Sequence, residues 1–261
     1  MSRPHALVTG ASAGIGAAIA QRLAGEGFDL VVSAEDSGVH RGIGQLERSG
    51  VEITPVRADL RDPGAVEALF AVATADRPLD VLVLNAGIGV GGGDFTETSL
   101  AEHLAVVDLN VRSTVHLAGL VVPGMRHRGA GRVLITSSLV APMAGPYQTT
   151  YNASKAFLAN FAAGLRYELR NSGVTVTTLL PGPVETGFFA RAGMISTVLG
   201  RMTKEDPELV ARQAVRALLR GRSSVVGGRA ISIPAAALIS MLPQNARTRL
   251  QALLSKPARR G

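Results

Sequence analysis

The apolar residues of this chain fall into short runs: residues 5–9 (HALVT), 29–34 (DLVVSA), 51–57 (VEITPVR), 80–85 (DVLVLN), 132–136 (RVLIT), 174–180 (VTVTTLL) and 223–227 (SSVVG). They are rich in Val, Ile, Leu and Thr and lack strict polar alternation. That is the pattern of strands buried on both faces of a parallel sheet. Helix-length stretches separate them, at residues 15–26, 64–75, 100–125 and 150–171. Strand alternating with helix predicts right-handed crossovers and an α/β fold: a doubly wound parallel sheet of about seven strands with helices on both faces.

No repeat or low-complexity linker interrupts this pattern, so residues 1–261 read as one domain. Past Gly228 two more helices are expected, forming a short C-terminal extension over about residues 229–261. Its apolar run, residues 233–242 (IPAAALISML), suits a core or interface helix, with shallow membrane contact as the alternative. That run is too short to span a bilayer, and no stable membrane insertion is expected. The first residues, MSRPHALVTG, hold no apolar signal core, and a cytoplasmic protein is expected. In such a sheet, ligands bind beyond the carboxyl ends of the strands, and glycines cluster there, as in NAGIGVGGG.

Composition narrows the chemistry. With no cysteine there is no disulfide framework and no thiolate site. His5, His40, His103, His116 and His127 have no paired ligand spacing, so no metal is expected. The formal net charge is +7, yet aromatic residues make up only 4% and no basic run is interleaved with them. Nucleic acid is therefore not an expected partner, although a cationic surface can steer anionic ligands.

Candidate chemistry begins with TGASAGIG, residues 9–16, between the first strand and the first helix. Gly10 permits a tight turn. Gly14 and Gly16 allow close backbone approach to a pyrophosphate at a helix N-terminus, whose N–H groups and partial positive charge suit phosphate. A tight connection without ligand is the alternative. About 20 residues on, such folds place the residue that reads the adenosine ribose. Glu35 fills that role and repels a 2′-phosphate, which favours NAD over NADP; Asp36 is its rival, and His40 and Arg41 lie nearby.

Lysine occurs three times in the chain and tyrosine three times, yet Tyr151 and Lys155 stand four residues apart in YNASK. On a helix they share a face. A free phenol titrates near 10, and about 4 kcal/mol is needed to bring it to about 7. An ammonium at about 4–6 Å supplies roughly 3–4 kcal/mol at an effective dielectric near 20, so Lys155 is expected to lower the Tyr151 pKa. Ser138, thirteen residues upstream at a strand end, is placed to donate to the same substrate oxygen. Tyr147 has no lysine at i+4 and reads as pocket lining or core.

Taken together the motifs resemble the short-chain dehydrogenase/reductase family. TGASAGIG, ADL (residues 58–60), NAG (residues 85–87), Asn110 in DLNVRST, Ser138, YNASK and PGPVET (residues 181–186) occur in that family's order. The resemblance implies a Rossmann-like fold, an NAD cofactor with NADP possible, and hydride transfer between nicotinamide and an alcohol or carbonyl carbon. It implies Asn110, Ser138, Tyr151 and Lys155 as the catalytic set, with Asn110 holding a water that links Lys155 to solvent protons. It further implies that Gly10, Ser12, Gly14, Ile15, Gly16, Asp59, Leu60, Asn85, Ala86, Gly87, Pro181, Gly182, Val184 and Thr186 hold the cofactor together with Glu35, Tyr151 and Lys155. Asp59 would accept from the adenine amino group.

Residues 187–202, GFFARAGMISTVLGRM, mix large apolar side chains with glycine. They read either as a lid over a hydrophobic alcohol, ketone or aldehyde, or as a helix packed on the core. A homodimer or homotetramer through the long helices is expected. A non-catalytic dinucleotide-binding regulator, and an epimerase or dehydratase on the same fold, are the alternative functions.

Overall fold

The computed structural model describes residues 3–41, 49–229 and 243–257. Strands β1 (His5–Thr9), β2 (Asp29–Ala34), β3 (Ile53–Arg57), β4 (Val81–Leu84), β5 (Gly131–Thr136), β6 (Val174–Pro181) and β7 (Ser224–Gly227) form one parallel sheet, in the order β3-β2-β1-β4-β5-β6-β7. The direction of winding reverses between β1 and β4. The carboxyl ends of those two strands therefore open onto a crevice, the usual ligand position in such sheets.

The continuous apolar runs are explained by what each strand meets. Ala6 and Val8 of β1 join one core with Ile19 and Leu23 of α1 (Gly14–Gly25) and Val210, Ala214 and Leu218 of a helix at Pro207–Leu219. Leu7 points the other way. It packs with Leu69 of α2 (Pro63–Thr74), Leu117 and Val121 of α3 (Leu100–Arg128) and Leu158 of α4 (Thr149–Glu168). Alternate residues thus serve opposite layers, and both layers are dry.

Helix starts carry their signals. Asp62 caps α2 by accepting from the Gly64 N–H, with Pro63 at the first helical position. Asp206 and Pro207 do the same for α5 (Pro207–Leu219). Ser99 and Glu102 form a reciprocal box at the start of α3. The start of α1 differs: its N-cap is Ala13, with no side-chain cap and no acidic residue in its first turn.

Two features differ from the sequence expectation. First, α3 widens into a π-helical turn over Val107–Arg112 before running on to Arg128. Thr114 Oγ1 donates to the Asn110 carbonyl at 2.9 Å, and Ser113 Oγ to that of Leu109, occupying carbonyls within the wide turn. Second, residues 187–202 form neither one helix nor part of the two main cores. Single turns at Phe188–Arg191 and Val198–Arg201 enclose a separate apolar cluster of Phe188, Phe189, Ala192, Met194 and Leu199.

By length and composition α3 could cross a bilayer, at a mean hydropathy of 1.3. Leu117, Ala118, Val121, Val122 and Met125 in its second half are instead buried against the sheet layer, whereas Leu100, Leu104, Val107 and Val115 are exposed. Of the expected C-terminal helices, α6 (Gln244–Ser255) is present; the run at residues 233–242 lies outside the described residues.

Candidate active site

At the end of β1 the chain turns through Gly10 (φ +68°) and Gly14 (φ +60°), where a side chain would be strained. A Cβ on Gly16 would lie 2.1 Å from the Gly10 carbonyl oxygen, so that position admits no side chain. The turn delivers the uncapped N-terminus of α1 to the cleft, with N–H groups unclaimed by any N-cap side chain.

Thr9, a residue the motif reading assigned no role, ties this turn to β4. Its hydroxyl donates to the Val83 carbonyl at 3.2 Å and accepts from the Asn85 and Ala86 N–H groups at 3.0 and 3.1 Å. The Asn85 amide donates to Thr9 O at 3.2 Å and accepts from Thr136 Oγ1 at 3.1 Å. Three adjacent strand ends are thereby fixed in one hydrogen-bonded row.

At the β5 side, α4 starts on Thr149 and carries Tyr151 and Lys155 on one face. Ser137 Oγ donates to the Lys155 carbonyl at 2.7 Å, pinning helix to strand. Lys155 is 5% exposed; its ammonium donates to the Thr136 carbonyl at 2.9 Å and lies 5.8 Å from the centre of the Tyr151 ring. Ser138 is also buried, beside the Tyr151 hydroxyl.

The expectation that the lysine brings the phenol down is overturned. Burial pushes Tyr151 up to about 12, against the hydrogen bond to Ser138, and burial also pulls Lys155 down to about 8. Removing both groups from water penalises both charged forms. The pair therefore favours a neutral phenol.

Asn110 sits in the π turn and is fully buried. Its Oδ1 accepts from the Ile88 N–H, and its Nδ2 donates to the Ile88 carbonyl and to Ser154 Oγ, each at 2.9 Å. A Cβ on Gly87 would come within 3.1 Å of Asn110 Oδ1 and 3.4 Å of Lys155 Nζ. The two side chains therefore meet at that glycine.

The far end of the cleft is ionic and open. Arg61 donates through Nε and Nη2 to Asp59, at 2.9 and 2.8 Å, and through Nη2 to Glu35 Oε2 at 3.1 Å. The hydrogen bonds from Arg61 hold the Asp59 carboxyl below its ordinary value. Asp36 instead accepts from Ser12 Oγ and the Gly38 N–H, so it closes the loop after β2.

A cleft of about 410 Å³ joins both ends and is lined by every expected site residue except Asn110, which lies just behind its wall. It is also lined by Leu139, Val140 and Gln148, which the motifs did not single out, and by Phe188, Phe189 and Leu199 of the segment read as a lid or a packed helix. The Phe188 ring stands 5.2 Å from the Tyr151 ring, and a Cβ on Gly89 would lie 2.5 Å from it. Thr186 closes the floor, its methyl facing Gly14. Tyr147 is absent from this cleft. It adopts φ +63°, accepts from the Gly92 N–H through its carbonyl, and borders a separate shallow hollow with Asp94 and Phe95. Among the described residues no group of three or more His, Asp or Glu side chains is arranged to hold a metal.

Residues 4–194 match the family model described as short chain dehydrogenase. The chain belongs to the short-chain dehydrogenase family. It is thus an oxidoreductase, as its relatives' names agree. Ketoacyl reductase HetN of Nostoc sp. is 32% identical over 84% of this chain and 77% of its own length. Oxidoreductase UcpA of Salmonella typhimurium is 31% identical over 82% and 79%. A short-chain dehydrogenase from Sphingobium yanoikuyae, solved in complex with NADPH, superposes with a TM-score of 0.80 at 28% identity, covering 92% of this chain and 97% of that one. One from Burkholderia phymatum, solved in complex with NAD, gives 0.82 at 25% identity, covering 98% of both chains.

Proposed function

We propose that this chain is an NAD(P)-dependent reductase of ketones or aldehydes, working in reverse as an alcohol dehydrogenase, with Tyr151 as the acid/base. The observation that carries this reading is the convergence of Ser138, Tyr151 and Lys155 at one end of a glycine-walled cleft. The residues fit a dinucleotide: Gly10, Gly14 and Gly16 leave a cradle that a Cβ would fill, beside an uncapped helix N-terminus suited to phosphate. Gly10, Ser12, Gly14, Ile15 and Gly16 would hold the pyrophosphate. Glu35, Asp59 and Leu60 would hold the adenosine, and Asn85, Ala86, Gly87 and Lys155 the nicotinamide ribose. Pro181, Gly182, Val184 and Thr186 would border the nicotinamide, which when bound donates or accepts the hydride.

Each polar residue then has a defined task. In reduction, Ser138 donates a hydrogen bond to the carbonyl oxygen and Tyr151 passes its phenolic proton to that oxygen as the carbon gains hydride. The products are an alcohol and a phenolate. The Lys155 ammonium offsets the phenolate charge, and the junction of Asn110 and Lys155 at Gly87 marks the route for reprotonation from solvent. A phenol held neutral by burial suits the donor role. In oxidation the phenolate must form first, which the same burial opposes.

Phe188, Phe189, Leu199, Leu139 and Val140 give the substrate side an apolar wall, which suits a hydrophobic carbonyl compound. The ketoacyl reductase among the relatives accords with a ketone as the reduced group. Exposed Leu104, Val107 and Val115 on α3 and Phe157 on α4 support a homo-oligomer through these helices. The test is steady-state oxidation of NADH or NADPH with a carbonyl panel. Tyr151→Phe should lose at least about a thousandfold in turnover and still bind dinucleotide. Full turnover in that variant refutes the mechanism.

A further inference from the structure

The adenosine end of the cleft holds an arrangement that the hydride-transfer reading does not use. Glu35 directly follows β2, the position from which an acidic residue reads the ribose 2′-hydroxyl in such folds. Asp59 follows β3 close by. Two carboxylates there repel a 2′-phosphate. Arg61 is bound to both at once: a two-pronged contact to Asp59 through Nε and Nη2, and a 3.1 Å contact from Nη2 to Glu35 Oε2. Its own carbonyl accepts from Arg112, which is paired with Asp108 at 3.2 Å, so the Arg61 backbone is anchored from α3. Glu35 and Asp59 line the cleft; Arg61 does not, and it acts from behind them.

We propose that Arg61 sets how strongly this chain discriminates between NAD(H) and NADP(H), by offsetting the charge of Glu35 and tying that carboxylate to Asp59. The inference rests on the dinucleotide-dependent reading above and makes Arg61 a positioning and specificity residue. With Arg61 present, the trio carries one net negative charge; without it, two. A 2′-phosphate dianion feels that difference far more than a hydroxyl does. Wild type should therefore use NADH in preference to NADPH, and yet use both. Side-chain exposures of 40%, 53% and 45% for Arg61, Glu35 and Asp59 leave the trio in water. The effect is thus moderate, about tenfold, and sensitive to salt.

The experiment is a comparison of kcat/KM with NADH and with NADPH, alongside direct binding of each dinucleotide, for wild type, Arg61→Gln, Arg61→Lys and Glu35→Gln. Arg61→Gln should raise the preference for NADH about tenfold, through KM for NADPH rather than kcat, and the change should shrink in 0.5 M salt. Arg61→Lys, which keeps the charge, should restore the wild-type ratio to within about threefold. Glu35→Gln should move the ratio toward NADPH. A ratio that does not move in Arg61→Gln, or moves toward NADPH, overturns the inference; so does Arg61→Lys behaving like Arg61→Gln. If wild type binds neither dinucleotide, the functional reading falls together with it.

Discussion

The two ends of the cleft are built on opposite principles. At the inner end, around Tyr151, the polar groups are buried and fastened: Lys155 to the Thr136 carbonyl, Asn110 to Ile88 and Ser154, Ser137 to the Lys155 carbonyl. At the outer end Glu35, Asp59 and Arg61 are about half exposed and hold one another as ions. Burial shifts ionisation, so the proposed proton transfer belongs to the inner end. Exposure screens charge, so the outer end modulates binding by small amounts.

The largest contrast should come from Lys155→Met at the inner end. Turnover should fall about a thousandfold, about 4 kcal/mol in barrier, with dinucleotide binding weakened much less. A loss of tenfold or less, measured by steady-state kinetics, would mean that the ammonium is not coupled to the phenol.

Gly16→Ala lies between the ends. Its Cβ would stand 2.1 Å from the Gly10 carbonyl oxygen, which is backbone and has little room to yield. Overpacking of this kind costs about 3 kcal/mol, and denaturant unfolding should show it together with lost dinucleotide affinity. Unchanged stability would show that β1 and α1 are less tightly apposed than described.

Asn110→Ala removes three buried hydrogen bonds and should destabilise the fold by about 2–3 kcal/mol, with the proton-transfer step slowed as well. A solvent isotope effect larger than that of wild type would mark the latter. Smallest is Asp59→Asn at the outer end, worth at most about 1 kcal/mol in stability and about threefold in KM for the dinucleotide. An effect there as large as at Asn110 would erase the contrast between the two ends.

Much of this was legible along the chain because the information is local. Seven apolar runs with helix-length spacers specify a parallel sheet, and the i, i+4 spacing of Tyr151 and Lys155 puts them on one face whatever surrounds them. The glycine turn is legible for the same reason, since three glycines within seven residues limit what the backbone does. What stayed hidden depends on partners distant in sequence. Arg61 meets Asp59 two residues away but Glu35 across a strand, and nothing in either segment alone announces the bridge. The π turn that carries Asn110 reads as ordinary helix, because Val107–Arg112 keep helical spacing. The direction for Tyr151 is not legible from spacing, which reveals the neighbour and not the degree of burial that raises it. Phe188 was visible as an apolar residue, but its place over Tyr151 depends on Gly89, a hundred residues upstream.

Burial governs the Tyr151–Lys155 pair, keeping the phenol protonated and making the ammonium easier to lose. Tyr151, raised to about 12, stays a proton donor throughout the accessible range; Lys155, lowered to about 8, carries its charge below that pH and sheds it above. The direct test is the pH dependence of kcat/KM for carbonyl reduction by the wild-type protein. The profile should be level from pH 6 and fall as pH rises through about 8. A profile that climbs on the alkaline side, or holds level past pH 10, would contradict it.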